Sequence, residues 1–179
     1  RIGYLPETVP LYVDMTVNDY LKFMGTIRRM NPKEIKSRTS YVIDVCRLGD
    51  YRNSQIGKLS KGFRQRVGIA QAVMHDPDVL VMDEPTIGID PIQVVETRQL
   101  IKDLAGSHTV ILSTHILPEV SMLCDRVLII HEGQIVAEDT PKQLGERLQG
   151  VDRLEVEIQG PKESVIETLE KIRGVIEVS

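Results

Sequence analysis

The sequence predicts an α/β fold with a mainly parallel sheet, a helical lobe beside it and a small C-terminal α+β appendage. Short apolar runs such as 79–82 alternate with segments in which apolar residues recur at helical spacing. These runs lack period-2 alternation, which is typical of parallel strands covered on both faces. Strands that alternate with helices imply crossover connections, and therefore parallel neighbours. We accordingly expect residues 59–138 to form a parallel sheet.

Composition narrows the class of protein. The chain has 179 residues, 41% of them hydrophobic, which is enough for a core. With 22 Lys+Arg against 26 Asp+Glu, the net charge of -4 argues against a nucleic-acid partner. No apolar run is long enough to span a bilayer, so any membrane link goes through another protein. Two distant cysteines, Cys46 and Cys124, indicate a reducing compartment and no zinc.

The first third of the chain predicts one strand end followed by a helical lobe. Residues 2–5 read as a strand that Pro6 closes. Thr16 with Asp19 resembles a capping box, so a helix begins there. A second helix begins at 31–34, where proline takes the first helical position, and runs to about residue 48. We expect the helical lobe to occupy about 8–58.

The remaining elements alternate between helix and strand. In order they are a helix at 62–75, a strand at 78–82, a helix from 90 to about 105, a strand at 110–112, a helix at 116–123, a strand at 126–130 with a hairpin return to 134–137, and a last helix from Thr140. Gly150 is a plausible boundary. Beyond it, a strand at 154–159, a helix after Pro161 and a strand at 175–178 predict a strand-helix-strand unit.

Two adjacent carboxylates follow the apolar run at 79–82. Asp83 and Glu84 would lie at the carboxyl edge of the sheet, where ligands bind in open α/β folds. One carboxylate suits Mg²⁺ and its water shell, and the other suits an attacking water. The alternative is an acid pair of no special role at a strand-to-loop junction.

Two further segments point to the same kind of chemistry. Ser60, Lys61 and Gly62 begin a helix, where free N–H groups and the helix dipole favour a terminal phosphate. The alternative is an ordinary serine cap. His115 follows the apolar strand at 110–112 and can reach the edge that carries the two acids. The alternative is a histidine satisfied by the backbone.

Taken together, these segments resemble the nucleotide-binding domain of ABC transporters, a P-loop NTPase-like ATPase. The phrases Leu-Ser-Lys-Gly-Phe at 59–63, Met-Asp-Glu-Pro-Thr at 82–86, Gly-Ile-Asp at 88–90 and Ser-Thr-His at 113–115 match the family's signature motif, Walker B, D-loop and H-loop in order. Residues 2–7 resemble the Q-loop phrase. The resemblance covers roughly 1–150, and 151–179 would start an accessory domain.

The resemblance implies a role for each matched residue. Asp83 would coordinate Mg²⁺, Glu84 would position the hydrolytic water, and His115 would contact the γ-phosphate of ATP. Phosphoryl transfer needs such positioning and charge stabilisation more than it needs covalent groups, which agrees with the residue types.

The resemblance also implies a dimer of ATPase subunits, either homo- or heterodimeric. Ser60 and Gly62 would contact the γ-phosphate of ATP bound to the opposite subunit, and Lys61 between them would belong to the same nucleotide-binding segment. Asp90 would link the two nucleotide sites across the dimer.

The sequence departs from the family pattern in two places. Glu7 stands where the family usually has glutamine, and its oxygen would still sense the metal or the water. Lys61 and Phe63 stand where a second glycine and a glutamine are commonest, while Ser60 and Gly62 are retained.

The phosphate-cradling loop is also missing. It needs glycine, four residues, then Gly-Lys-Ser/Thr. The nearest match, at 57–60, has leucine after lysine and Arg52 at the first glycine position. Because the chain opens on Arg1 within a strand-like phrase, we expect the loop to lie upstream in a longer protein. A processed native terminus is the alternative.

The segments 7–12, 15–17 and 76–77 resemble exporter-type ATPase subunits for drugs, antibiotics or gliding motility. We therefore expect an ATP-hydrolysing subunit on the cytoplasmic face of the cell membrane, working with a separate permease. Alternatives are a soluble ABC-type ATPase of translation or repair, and an inactive interaction module. Translation factors usually show Asn-His-Leu-Asp where this chain has Ile-Gly-Ile-Asp at 87–90.

Overall fold

The computed structural model of the chain describes residues 1–148, 158, 160–172 and 174. The contacts divide the chain into two compact units, 1–141 and 142–179. The strands are β1 (Ile2–Leu5), β2 (Val79–Asp83), β3 (Thr109–Ser113), β4 (Val127–His131) and β5 (Gln134–Asp139). The helices are α1 (Val17–Ile27), α2 (Pro32–Val45), α3 (Lys61–Val73), α4 (Pro91–Ala105), α5 (Leu117–Leu123), α6 (Pro141–Leu148) and α7 (Lys162–Glu170).

Three of the strands form the predicted parallel sheet, in the order β1-β2-β3. Tyr4 pairs with Val81, and Asp83 pairs with Ser113. All three strands run in the same direction, so their carboxyl ends meet at one edge. The acid pair and the Ser-Thr-His phrase therefore lie side by side.

The strand predicted at 126–130 does not join this sheet within the described residues. β4 pairs only with β5, in an antiparallel hairpin. The hairpin turn at Glu132 and Gly133 is confirmed, and both residues have positive φ, as a tight two-residue turn requires. The expectation that residues 59–138 form one parallel sheet was thus wrong for β4. An apolar run specifies a strand but not its partner.

A single hydrophobic cluster holds the sheet and the helices of the first unit together. Leu5, Leu80 and Met82 are buried on one face of the sheet, with Ile69 and Val73 of α3. Fully burying such side chains contributes about 1.5–3 kcal/mol each. The helix α3 is therefore the centre of the unit, with the helical lobe packed against it.

The other face of the sheet is open within the described residues. Tyr4 and Ile111, which flank Val81, are 49% and 55% exposed. The absence of alternation in these strands predicts burial on both faces, and the described part of the chain buries only one.

The helix starts predicted from capping residues are confirmed. Thr16 accepts a hydrogen bond from the Asp19 N–H, and Asn31 with Glu34 forms a reciprocal capping box. The second helix ends at Val45 rather than near residue 48. Single turns of 3₁₀ helix at Gly49–Tyr51 and Ile56–Lys58 then complete the helical lobe.

The second unit contributes α7 and most of α6. At the end of α7, the Nζ of Lys171 lies 3.9 Å from the Oε2 of Glu167, which is four residues earlier in the chain. Nearly all of the strand predicted at 154–159, and all of that predicted at 175–178, lies outside the described residues. No helix in the described ranges is long and apolar enough to cross a membrane.

Candidate active site

The carboxyl end of β2 presents two carboxylates held by its neighbour β3. Asp83 is the last residue of the strand, and its Oδ1 accepts a hydrogen bond from the Ser113 hydroxyl at 2.5 Å. The Glu84 N–H donates to the Ser113 carbonyl at 3.1 Å. The loops after the two strands are therefore joined by backbone and side-chain contacts. Ser113 belongs to the Ser-Thr-His phrase, but the sequence alone assigned it no role.

Glu84 has an unusual backbone conformation for a non-glycine residue, with φ at 44°. This left-handed region costs a residue with a Cβ about 1–2 kcal/mol. The surrounding contacts sustain the strain, and such outliers cluster at functional sites.

His115 and Glu84 form a hydrogen-bonded pair. The imidazole Nδ1 donates to Glu84 Oε1 at 2.8 Å. Because an ionised carboxylate only accepts, Nδ1 carries the proton in this arrangement. This hydrogen bond, with the added Coulomb attraction of Glu84, raises the pKa of His115. The imidazole remains 67% exposed, so it is open to a ligand.

The second oxygen of Glu84 has a different environment. Oε2 is buried and has no hydrogen-bond partner among the described residues. A buried acceptor without a partner is costly, so this oxygen is suited to take a hydrogen bond from a water. The same carboxylate thus faces His115 with one oxygen and has acceptor capacity left on the other.

The donor set around the acid pair fits a hydrated Mg²⁺ in its chemistry. Carboxylate oxygens and water are the ligands this ion prefers, and one or two protein carboxylates suffice. Asp83 supplies one carboxylate, and Ser113 occupies only one of its oxygens. Glu7 lies two residues after the end of β1, the strand beside β2, and its side chain is exposed. Its charge contributes to raising the pKa of His115. The described residues contain no group of three or more potential metal ligands, so protein side chains alone do not enclose an ion.

The predicted anion site at 60–62 begins α3. The Ser60 hydroxyl accepts from the Phe63 N–H at 3.3 Å and so caps the helix. The N–H groups of Lys61 and Gly62 have no acceptor in the described part of the chain. An anion site and a serine cap are therefore compatible interpretations, because the cap leaves the N–H groups of Lys61 and Gly62 free.

This segment packs against the loop and helix that follow Walker B. A Cβ on Gly62 would lie 2.9 Å from the Cγ of Gln93 in α4, and a Cβ on Gly88 would overlap the Nζ of Lys61. Asp90 caps α4 by accepting from the Gln93 N–H at 3.0 Å. These contacts bring the segment Ser60, Lys61 and Gly62 close to Asp90 and the start of α4.

A buried carboxylate that the sequence analysis missed joins the two loops of the site. Glu119, in the first turn of α5, is fully buried and accepts from Thr86 and Thr114 as well as from Arg98. Its only sequence signal is an acid in the first turn of a short helix, which usually marks a favourable interaction with the helix dipole.

A cavity also lies away from this site. It measures about 620 Å³ and is lined by residues that include Arg28, Arg38 and His75. Ile2 and Asp76 place it at the amino ends of β1 and β2, opposite to the edge that carries Asp83.

Comparisons with known proteins agree with the motifs. A family model described as ABC transporter matches residues 1–87. An uncharacterized ABC transporter ATP-binding protein of Methanocaldococcus jannaschii is 42% identical over 137 residues, which cover 76% of this chain and 52% of that protein. The linearmycin resistance ATP-binding protein LnrL of Bacillus subtilis is 32% identical over 180 residues, which cover all of this chain and 58% of that protein.

Among solved structures, cbiO1 of Clostridium perfringens, part of the ABC transporter complex cbiONQ, superposes with a TM-score of 0.74 at 25% identity. That superposition covers 94% of this chain and 62% of the cbiO1 chain. The chain spans about half the length of the curated relatives it matches.

Proposed function

Because the chain carries part of an ABC transporter ATP-binding domain, we propose that it belongs to the ATP-hydrolysing subunit of an exporter with a separate membrane permease. The observation that supports this most is the pair formed by Glu84 and His115 at the end of a buried strand, with one Glu84 oxygen free to accept. A structural ion pair would not need an unpartnered buried oxygen.

In this proposal the two acids have separate roles. Asp83 holds a hydrated Mg²⁺, which would neutralise charge on the phosphates when bound. Glu84 accepts a hydrogen bond from the attacking water through Oε2 and orients it. His115 faces the γ-phosphate with its exposed ring, and Glu84 fixes the ring's tautomer through Nδ1. We also assign Glu7 to the metal and water site, and its charge is one of those that raise the pKa of His115, after the hydrogen bond and charge of Glu84.

The second nucleotide contact comes from the partner subunit in a dimer, homomeric or heteromeric. Ser60, Lys61 and Gly62 present their helix N-terminus to the ATP of that partner, in keeping with the two free N–H groups. Asp90, on the adjoining loop, links the two sites.

Export is supported by the names of relatives, which include a linearmycin resistance protein and a Nod factor export protein of Burkholderia lata that is 34% identical. We place the subunit on the cytoplasmic face of the membrane, where ATP and a permease meet. We further propose that residues 1–150 form the ATPase domain and that 151–179 begin an accessory domain dispensable for the chemical step.

The test is ATP turnover in the extended subunit, meaning this chain together with the upstream residues expected to carry the phosphate-binding loop. Glu84→Gln keeps the shape of the side chain but removes its charge, and turnover should fall at least ~100-fold while ATP binding persists. The variant should accumulate as an ATP-bound dimer. Glu132→Gln, the same change in the exposed hairpin turn, is the matched control and should leave turnover unaltered. Near-normal turnover of Glu84→Gln would remove Glu84 from its role.

A further inference from the structure

We propose that Glu119 is a positioning residue that holds Glu84 and His115 in the relative arrangement that hydrolysis requires. This inference rests on the proposed function. The Glu119 carboxylate is fully buried, although the residue lies in the first turn of the short surface helix α5. A buried charge is retained in a fold only when hydrogen bonds and a counter-charge compensate for its desolvation.

The compensation comes from both loops of the site and from one helix. Glu119 Oε1 accepts from Thr86 Oγ1 and from Arg98 Nε and Nη2, at 3.2 and 3.0 Å for the arginine. Glu119 Oε2 accepts from Thr114 Oγ1 at 3.0 Å. The carboxylate therefore uses its two oxygens to connect separate parts of the chain.

The positions of the two threonines show what is connected. Thr86 lies two residues after Glu84, and Thr114 immediately precedes His115. Thr86 is buried, so its hydroxyl has no access to solvent as an alternative partner. Each of the two site loops is thus tied to the same carboxylate within two residues of its functional side chain.

Arg98 gives the connection its rigidity. Its guanidinium makes two hydrogen bonds to the same oxygen and balances the buried charge from α4. Charge-assisted bonds of this kind are about twice as strong as neutral ones. No group of this cluster hydrogen-bonds to the free oxygen of Glu84. The charge of Glu119 adds to the rise in the pKa of His115, after the hydrogen bond and the charge of Glu84, and its main effect on hydrolysis is to hold the two loops in position.

The position matters because the reacting groups are few. A misplacement of about 1 Å can cost an enzyme as much as ~100-fold in rate. Sheet pairing ends at Asp83 and Ser113, and beyond it the Glu84 N–H still donates to the Ser113 carbonyl at 3.1 Å. Glu119 adds a further restraint on both loops, through Thr86 on one and Thr114 on the other.

The experiment uses Thr86→Val in the extended subunit. Valine has the shape of threonine but lacks the hydroxyl, and Thr86 makes no other side-chain hydrogen bond in the described chain. We expect kcat to fall about 10-fold, with KM for ATP within about two-fold of the wild-type value. Thr86→Ser restores the hydroxyl and should recover most of kcat. A merely structural contact would lower the melting temperature and leave kcat per folded molecule unchanged.

A second variant guards against misfolding of the first. Thr114→Val removes the hydroxyl on the His115 loop, which donates to Glu119 and also accepts from the Ile116 N–H. It should lower kcat at least as much as Thr86→Val does, and Thr114→Ser, which restores both contacts, is its rescue. If the valine variants fold and keep wild-type kcat while Glu84→Gln is inactive, the positioning role is wrong and the proposed function stands. If Glu84→Gln itself retains turnover, the proposed function fails instead.

Discussion

The imidazole Nδ1 of His115 lies 2.8 Å from the Oε1 of Glu84, although 31 positions separate them in the sequence. Parallel pairing of β2 with β3 brings them together, because Asp83 lies opposite Ser113 and both loops begin at the same edge. The pair has consequences that can be measured in the chain as it stands.

The pKa values of His115 and His75 should be shifted in opposite directions. Glu84 raises the pKa of His115 through their hydrogen bond, whereas burial, followed by the charge of Arg28, lowers the pKa of His75. Imidazole resonances followed by NMR should place His115 above the ordinary value of about 6.5 and His75 below it. The Glu84→Gln variant should bring His115 back toward about 6.5 and leave His75 unchanged.

Because the pKa of His115 is raised in the folded state, its contribution to the free energy of unfolding depends on pH. The His115–Glu84 attraction is fully present below the unfolded pKa of about 6.5 and is lost as pH rises through the higher folded value. A wild-type His115 that titrates at or below the ordinary value would contradict the pairing.

The chain by itself should neither bind nor hydrolyse Mg-ATP at millimolar concentration. The 179 residues contain no Gly-x₄-Gly-Lys-Ser/Thr loop, and such a loop supplies most phosphate contacts in P-loop ATPases. Several charge-assisted contacts are missing, each worth about 1.5–3 kcal/mol, and the carboxylates of Asp83 and Glu84 repel a triphosphate. Isothermal titration of monodisperse protein is the measurement, with the extended subunit as positive control. Micromolar affinity would reveal a phosphate site not recognised here.

The capping box at the start of α2 should contribute measurably to stability. Asn31→Ala removes the acceptor for the Glu34 N–H and should lower the free energy of unfolding by about 1 kcal/mol. Ser37→Ala, at an exposed interior position of the same helix, is the control and should be neutral or slightly stabilising. Equal denaturation midpoints for Asn31→Ala and wild type would show that the cap contributes nothing.

Two glycines allow backbone strain to be separated from a specific contact. Gly88 and Gly133 both have positive φ, but a Cβ meets Lys61 only at Gly88 and meets nothing at Gly133. Gly88→Ala and Gly133→Ala should each lower the free energy of unfolding by about 1–2 kcal/mol, because alanine resists this conformation. The Lys61 amine is the end of a flexible side chain, so Gly88→Ala should cost little beyond that.

The two variants should differ in function. In the extended subunit Gly88→Ala should reduce ATP turnover, because it displaces Lys61 within the predicted nucleotide-binding segment at 60–62. Gly133→Ala should leave turnover unchanged. Equal turnover of the two variants would separate the Lys61–Gly88 contact from catalysis.

Local chemistry made much of the fold predictable. Asp90 followed by proline predicts a helix start, and α4 begins there and ends at Ala105 as expected. The apolar run before Asp83 predicts β2, and the order of strand and helix predicts parallel pairing. The helix start and the strand depend on neighbours within a few residues, and the parallel pairing follows from the order of the elements, so the sequence carries all three directly. The acid pair, His115 and the serine at the start of α3 were recognisable for the same reason.

The contacts that join distant segments were decided by the tertiary structure. The sequence placed β4 in the parallel sheet, but a strand's partner depends on which edge the rest of the chain leaves available. The sequence did not indicate the contacts of Ser113 and Glu119, because a hydroxyl or an acid acquires such a role only when folding removes water and leaves a specific donor or acceptor within reach. Sequence alone thus determined the elements and the chemical groups, whereas packing determined which of those groups meet.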